Sequence, residues 1–180
     1  MFKGTSASAG IGIGKAVIVE EAELVITRNE VADAEAEIQR FKGALEKTIA
    51  ATQKMADDLA SRVGEKEAEI MQGHMMLLSD PMLTGEIENS VKNDKVNCEF
   101  AIENVCNMYA DMFASMGDEL MQQRATDMRD IKVRMQRTLM GLESVDVSLL
   151  PKGSILVAKD LPPSMTAGIN PENVSGIVTE

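Results

Sequence analysis

One imidazole bounds the histidine chemistry open to this chain. His74 is the only histidine in 180 residues, and it lies in GEKEAEIMQGHMMLLSDPML, residues 64–83. On a helix, Ile70, His74, Leu77 and Pro81 fall at i, i+4, i+7 and i+11 and share a face, with Met71, Met75 and Leu78 alongside. Asp80-Pro81 ends that helix and starts another, with Asp80 as N-cap and Pro81 at the first helical position. Two short helices then meet at an elbow edged with methionine and leucine, a surface that packs inside a bundle or receives a partner. Phosphoryl chemistry at His74 would need a carboxylate or a glycine nest to orient the ring, and neither flanks it in sequence. By itself, His74 reads as a satisfied histidine on a helix face.

Other chemistry is sparse. Cys98 and Cys106 are eight apart, a spacing that suits neither a metal nor a redox pair, and they read as buried thiols of a reducing cytosol. The segment SASAGIGIGK, residues 6–15, has the small residues of a phosphate loop but not the Gly-x-x-x-x-Gly-Lys-Ser/Thr spacing, and no helical pattern follows it. Its alternating glycines point to close backbone approach. Arg124, Arg129, Lys132, Arg134 and Arg137 form a basic cluster in an acidic chain, expected to be a solvated helix face paired with Asp127 and Asp130.

The formal net charge is −11, which disfavours nucleic acid as a partner, because its phosphates would be repelled. A neutral or basic protein is the better fit. No stretch is apolar for long enough to span a bilayer, and MFKGTSASAG lacks the apolar run of a secretory signal. Fourteen methionines against one tyrosine suit an adaptable helical core and an adaptable binding surface.

The elements that must position these residues follow from periodicity. Lys15–Glu20 reads as a strand and Glu23–Thr27 as a second. From about 31 to 63 the chain predicts one helix of roughly 45–50 Å, with Val31, Ile38, Leu45, Thr52 and Leu59 repeating every seven and Phe41, Ile49, Met55 and Val63 beside them. The kinked pair 65–79 and 81–92 comes next. Asn97 is expected to cap a helix with Cys98, Ile102, Val105, Tyr109, Met112 and Met116 on its apolar face. A last helix, about 119–140, should carry Met121, Met128, Ile131, Met135, Leu139 and Leu142 on its apolar face and end at Gly141. After Leu150-Pro151, residues 154–159 and 174–178 read as strands, with a helical turn between them. Residues 1–26 and 150–180 are therefore expected to form one α/β unit, interrupted by a helical insertion over 31–142: an α+β or α/β fold with an inserted bundle of four helices, one of them kinked.

Four motifs in order carry a resemblance: Ala7-Ser8-x-Gly10-Ile11, Gly73-His74-x-Met76-Leu77-Leu78, Arg124-Ala125-x-Asp127-x-Arg129-Asp130-Ile131, and Ile155-Leu156-Val157-Ala158-x-Asp160-Leu161-x-Pro163-Ser164. Together they resemble the N-terminal domain of Enzyme I of the bacterial phosphoenolpyruvate:sugar phosphotransferase system over essentially the whole chain. The resemblance implies a cytoplasmic transferase that moves phosphate from phosphoenolpyruvate to a histidine and on to the small carrier HPr, for sugar uptake. It implies that a swivelling phosphohistidine-type sheet subdomain is interrupted by a helical subdomain that docks HPr. By position, His74, Met76, Leu77, Leu83 and Arg124 match the docking surface, and Thr166 matches a threonine that supports the catalytic histidine.

In the family that histidine lies in Gly-Gly-x-Thr-Ser-His, expected just beyond Glu180, so this stretch alone is expected to dock the carrier without accepting phosphate. The resemblance places phosphoenolpyruvate, Mg and the dimer contact in a C-terminal domain outside these residues, and implies no cofactor or metal within them. Two other readings compete. A swivelling domain of a phosphoenolpyruvate synthase or pyruvate phosphate dikinase would lack the helical insertion. A non-enzymatic helical adaptor or dimerisation module would use the long heptad from Val31.

Overall fold

The long helix organises the molecule. In a computed structural model that describes residues 4–180, α1 runs Ala34–Arg62, beginning at the N-cap Asp33, whose carboxylate accepts the Ala36 amide at 3.0 Å. Its buried stripe is Ile38, Phe41, Ala44, Thr48, Thr52, Ala56 and Leu59. The expected heptad holds at Ile38, Thr52 and Leu59, but the inner line turns onto small residues. Leu45, Ile49 and Met55 lie on the flanks and Val63 is exposed. Alanine and threonine leave room for close approach of a neighbouring helix. The buried hydroxyls of Thr48 and Thr52 donate to the carbonyls of Ala44 and Thr48 at 2.9 and 2.7 Å, so neither is left unpaired.

Against α1 lie α2 (Glu65–Leu78), α3 (Pro81–Asp94), α4 (Cys98–Ser115) and α5 (Glu119–Met140). Leu78, Leu83, Ile87, Ile102, Met128 and Ile131 are each 2% exposed or less and join Phe41 in one core. Asp80 caps α3 as expected, accepting the Met82 amide at 2.8 Å with Pro81 in the first turn. Gly141 closes α5 in the left-handed conformation, φ 66°. Asn97 does not act as expected. Its side chain accepts the Asn29 amide at 2.9 Å and donates to Glu99, while the Cys98 amide is taken by Glu37 of α1 at 2.8 Å. The cap of α4 thus comes from another helix, which sequence spacing does not reveal. Met112 and Met116, placed inward by periodicity, are exposed at the far end of α4, and Leu142, placed on the apolar face of α5, is exposed beyond the turn at Gly141.

The sheet is small and parallel: β1 (Lys15–Val19), β2 (Ser154–Ala158) and β3 (Val174–Val178), in that order. Lys15 pairs with Ser154 and Val19 with Ala158. Parallel neighbours need a crossover; the one from β1 to β2 contains α1–α5, and α6 (Pro163–Gly168) lies between β2 and β3. Residues 23–27 form no strand; the chain there is irregular and ends in a single antiparallel bridge, Glu30 to Val96. The glycine-rich segment is a packing device, as its alternation indicated: a Cβ on Gly12 would overlap the Ser175 carbonyl, and one on Gly14 the Gly153 carbonyl. Leu156, Val19, Val147 and Leu150 form a second core beneath the sheet.

Candidate partner-docking site

The His74 helix is rotated from its expected setting. Met71, His74 and Leu78 are wholly buried, whereas Ile70 is 53% exposed. The inner line of α2 therefore runs between Met71 and Leu78, with His74 at its edge and Ile70 outside. Helical spacing alone places Ile70 and His74 on one face and cannot choose which edge of a wide stripe turns inward. With no exposed surface, neither ring nitrogen of His74 offers a path for in-line attack on a phosphoryl donor. Its Nε2 lies 3.2 Å from Asp127 Oδ1 on α5, off line for a hydrogen bond, and Nδ1 has no partner.

The expected docking residues divide into two groups. Met76 is 72% exposed, Leu77 is half-buried against the core, and Arg124 is partly exposed beside them. His74 and Leu83 lie inside, Leu83 at 2%. Sequence reasoning missed Met82, which is 69% exposed at the first turn of α3, and Ile70 on the outer flank of α2. No signal in the sequence separates Met82 from Leu83, because neighbours on a helix are only about 100° apart and both can be buried, as Ala101 and Ile102 are. Met76 and Met82 are thus exposed on either side of the bend between α2 and α3, and Ile70 is exposed further back along α2.

Arg124 sits against α2 at Gly73. A Cβ there would come within 2.6 Å of Arg124 Nη1. The guanidinium also faces Asp127 Oδ2 at 3.6 Å.

Arg129 is exposed as expected, but Lys132, Arg134 and Arg137 do not form a solvated face. Lys132 donates to Glu103 and Asn107 of α4 at 2.9 and 3.0 Å. Arg134 Nη2 donates to Thr52 of α1 at 2.6 Å, its Nη1 is buried without a partner, and burial pushes its ionisation down against the opposing charge of Asp130. Arg137, 5% exposed, donates to the Ala22 and Glu143 carbonyls and faces Glu21 at 3.2 Å. Long aliphatic stems let these side chains cross the bundle, so their charge did not mark them as exterior.

Thr166 is exposed on α6, its hydroxyl donating back to Pro162 O at 3.2 Å. Both ends of α6 are held by the helices. Ser164 donates through its amide and its hydroxyl to Asp130, each at 2.7 Å. Arg62 donates to the Ala167 and Ile169 carbonyls, each at 2.9 Å.

Against known proteins, a family model described as PEP-utilising enzyme, N-terminal, matches residues 3–124. The chain belongs to that family, in its N-terminal part. More particularly, its relatives are Enzyme I, phosphoenolpyruvate-protein phosphotransferase. The protein of that name from Bacillus subtilis (strain 168) is 38% identical over 179 residues, covering 99% of this chain and 31% of the relative. That of Listeria monocytogenes is 39% identical with the same coverage. An NMR solution structure of Enzyme I superposes with TM-score 0.88 at 36% identity, covering 99% of this chain and 73% of that one. The N-terminal domain of a nitrogen-type Enzyme 1 gives 0.68 at 25%, covering 94% and 70%. The chain therefore spans about a third of the length of the curated relatives it matches. Among the described residues no helix is long and apolar enough to cross a membrane.

Proposed function

We propose that these residues dock the phosphocarrier HPr at the α2–α3 elbow, as part of a cytoplasmic phosphoenolpyruvate-protein phosphotransferase that relays phosphate through a histidine to HPr for sugar uptake. The observation that supports this reading is that Met76 and Met82, on either side of the elbow, are 72% and 69% exposed, more than the other large apolar side chains of α1–α5, with Arg124 lying against α2 at Gly73. Apolar anchors beside one arginine are the usual make-up of a binding hot spot. In this reading Met76, Leu77 and Arg124 meet the carrier directly. Leu83 and His74 act from beneath, holding the surface in shape.

The division of labour follows the connectivity. The helices between β1 and β2 form the docking unit, and the sheet with α6 forms the swivelling phosphohistidine-type unit, where Thr166 supports the phosphorylated histidine of the whole protein. Phosphoenolpyruvate and Mg are bound by its C-terminal domain. An adaptor built on the α1 heptad is disfavoured, because Leu45 and Ile49 pack into the core rather than presenting a seam.

Calorimetry with purified HPr tests the reading. The chain should bind, and Met76→Asp and Arg124→Ala should each weaken binding by about 2 kcal/mol with helicity intact. Unchanged affinity in both variants would remove the elbow from the interface.

A further inference from the structure

We propose that Gly73 and Asp127 are positioning residues that hold the Arg124 guanidinium edge-on against α2, its remaining donors turned toward an acceptor oxygen of the docked partner. The proposal rests on the docking reading above and adds to it the means by which Arg124 is aimed.

A mid-helix glycine costs about 1 kcal/mol of helix stability relative to alanine, so its position asks for a reason. α1 and α3 also contain glycines, Gly43 and Gly85, and a Cβ on either would meet nothing within 4 Å. At Gly73 it would lie 2.6 Å from Arg124 Nη1, 3.6 Å from Cζ and 3.7 Å from Nη2. Of these only the Nη1 distance is shorter than van der Waals contact, so the Nη1 edge of the guanidinium occupies the space a side chain would have taken. The missing methyl is the seat.

Asp127 supplies the second constraint. Its Oδ2 is 3.6 Å from Arg124 Nη1, too long for a hydrogen bond, and its Oδ1 is 3.2 Å from His74 Nε2. An i, i+3 surface pair at that distance would by itself be worth little. Here the carboxylate lies between a fully buried ring and a partly exposed guanidinium, so the packing that fixes His74 also fixes Asp127. The sole histidine then has a role without chemistry: its buried ring packs beside Asp127, whose other oxygen faces Arg124. A guanidinium presents five donors in a rigid fork. With Nη1 directed at Asp127, donors remain for a partner, and holding the fork still removes an ordering cost from binding.

Gly73→Ala decides the matter, because the displaced atoms are the end of a flexible side chain and the substitution favours the helix. Two readouts are taken: nitrogen-15 relaxation of the Arg124 Nε–H group in the free chain, and HPr affinity by calorimetry. The expected result is a folded variant in which Arg124 becomes mobile, HPr binds about tenfold more weakly, and the same change made on Arg124→Ala has no further effect. Asp127→Asn should act in the same direction. If Arg124 stays ordered in Gly73→Ala, there is no seat. If it becomes mobile with affinity unchanged, or if Gly73→Ala weakens binding equally without Arg124, the positioning role is wrong. Failure of the unaltered chain to bind HPr would overturn the docking reading and with it the purpose of the seat, whereas the relaxation data judge the seat independently.

Discussion

Asp130 and Ser164 join two distant parts of the chain through one carboxylate. Asp130 on α5 takes the Ser164 amide on one oxygen and the Ser164 hydroxyl on the other, both at 2.7 Å and both buried. Ser164 is in the first turn of α6, whose N-cap, Pro162, provides no side-chain acceptor. The cap is therefore supplied from another helix, and it fixes the turn that carries Thr166. Asp130→Ala should destabilise the protein by about 2–3 kcal/mol, since two charge-assisted hydrogen bonds are lost and a buried amide is orphaned. Urea denaturation measures this, and hydrogen exchange at Thr166 and Ala167 should accelerate. An unchanged urea midpoint would show that the contact is dispensable.

Acid should loosen the contacts that α4 makes with α1 and α5. The Arg40 guanidinium holds the Glu37 carboxyl below the ordinary carboxylate range; burial opposes it and the Cys98 amide assists. Burial would raise Glu103, yet hydrogen bonds from Gln136, Lys132 and Asn107 leave it lowered. A carboxyl with a depressed folded-state value contributes stability that is present above its unfolded value and lost as pH falls through the folded one. Glu37→Gln should thus be less stable than the unaltered chain at pH 7, and the difference should shrink as pH falls from about 5. Thermal melts across that window check the sign; a difference that widens in acid would reverse the assignment.

The two cysteines should be inert in the folded protein. Burial pushes the thiols of Cys98 and Cys106 up to about 12, and both are 1% exposed or less. A thiol must be a thiolate to react. Ellman's reagent at pH 8 should find almost no thiol in the native chain and both in urea. Rapid native reaction at either would show a breathing motion that opens the core.

Much of the architecture was legible because hydrophobic period reports burial directly. The strands around Val17, Leu156 and Ile177, the elbow at Asp80-Pro81 and the stop at Gly141 all follow from local rules. What was hidden depends on contacts between elements. Glu37 capping α4, Arg134 reaching Thr52 and Asp130 capping α6 are invisible to spacing, because each pairs residues far apart in the chain. Rotation of α2 was hidden for a different reason. Its apolar stripe is wide enough that Ile70 and His74 could each have been the buried edge, and only packing against α1 and α5 decides. Hence Met76 was identified as surface while Met82 was passed over for its buried neighbour Leu83.

Burial also separates Met82 from Leu83 in effect. Leu83→Asp places a charge in a core where the side chain is 2% exposed, and should cost about 3–5 kcal/mol of stability. Met82→Asp should leave the urea midpoint nearly unchanged and act on partner binding alone. Equal loss of stability in the two would mean that the elbow is packed differently.

The most direct test of the docking surface is a nitrogen-15 NMR titration of the chain with unlabelled HPr. Saturable shifts should concentrate at Ile70–Leu77, Met82 and Arg124, and amides of β1, β2 and β3 should stay in place. Saturable shifts centred on the sheet with the elbow unmoved, or no shifts at all at high HPr concentration, would contradict it.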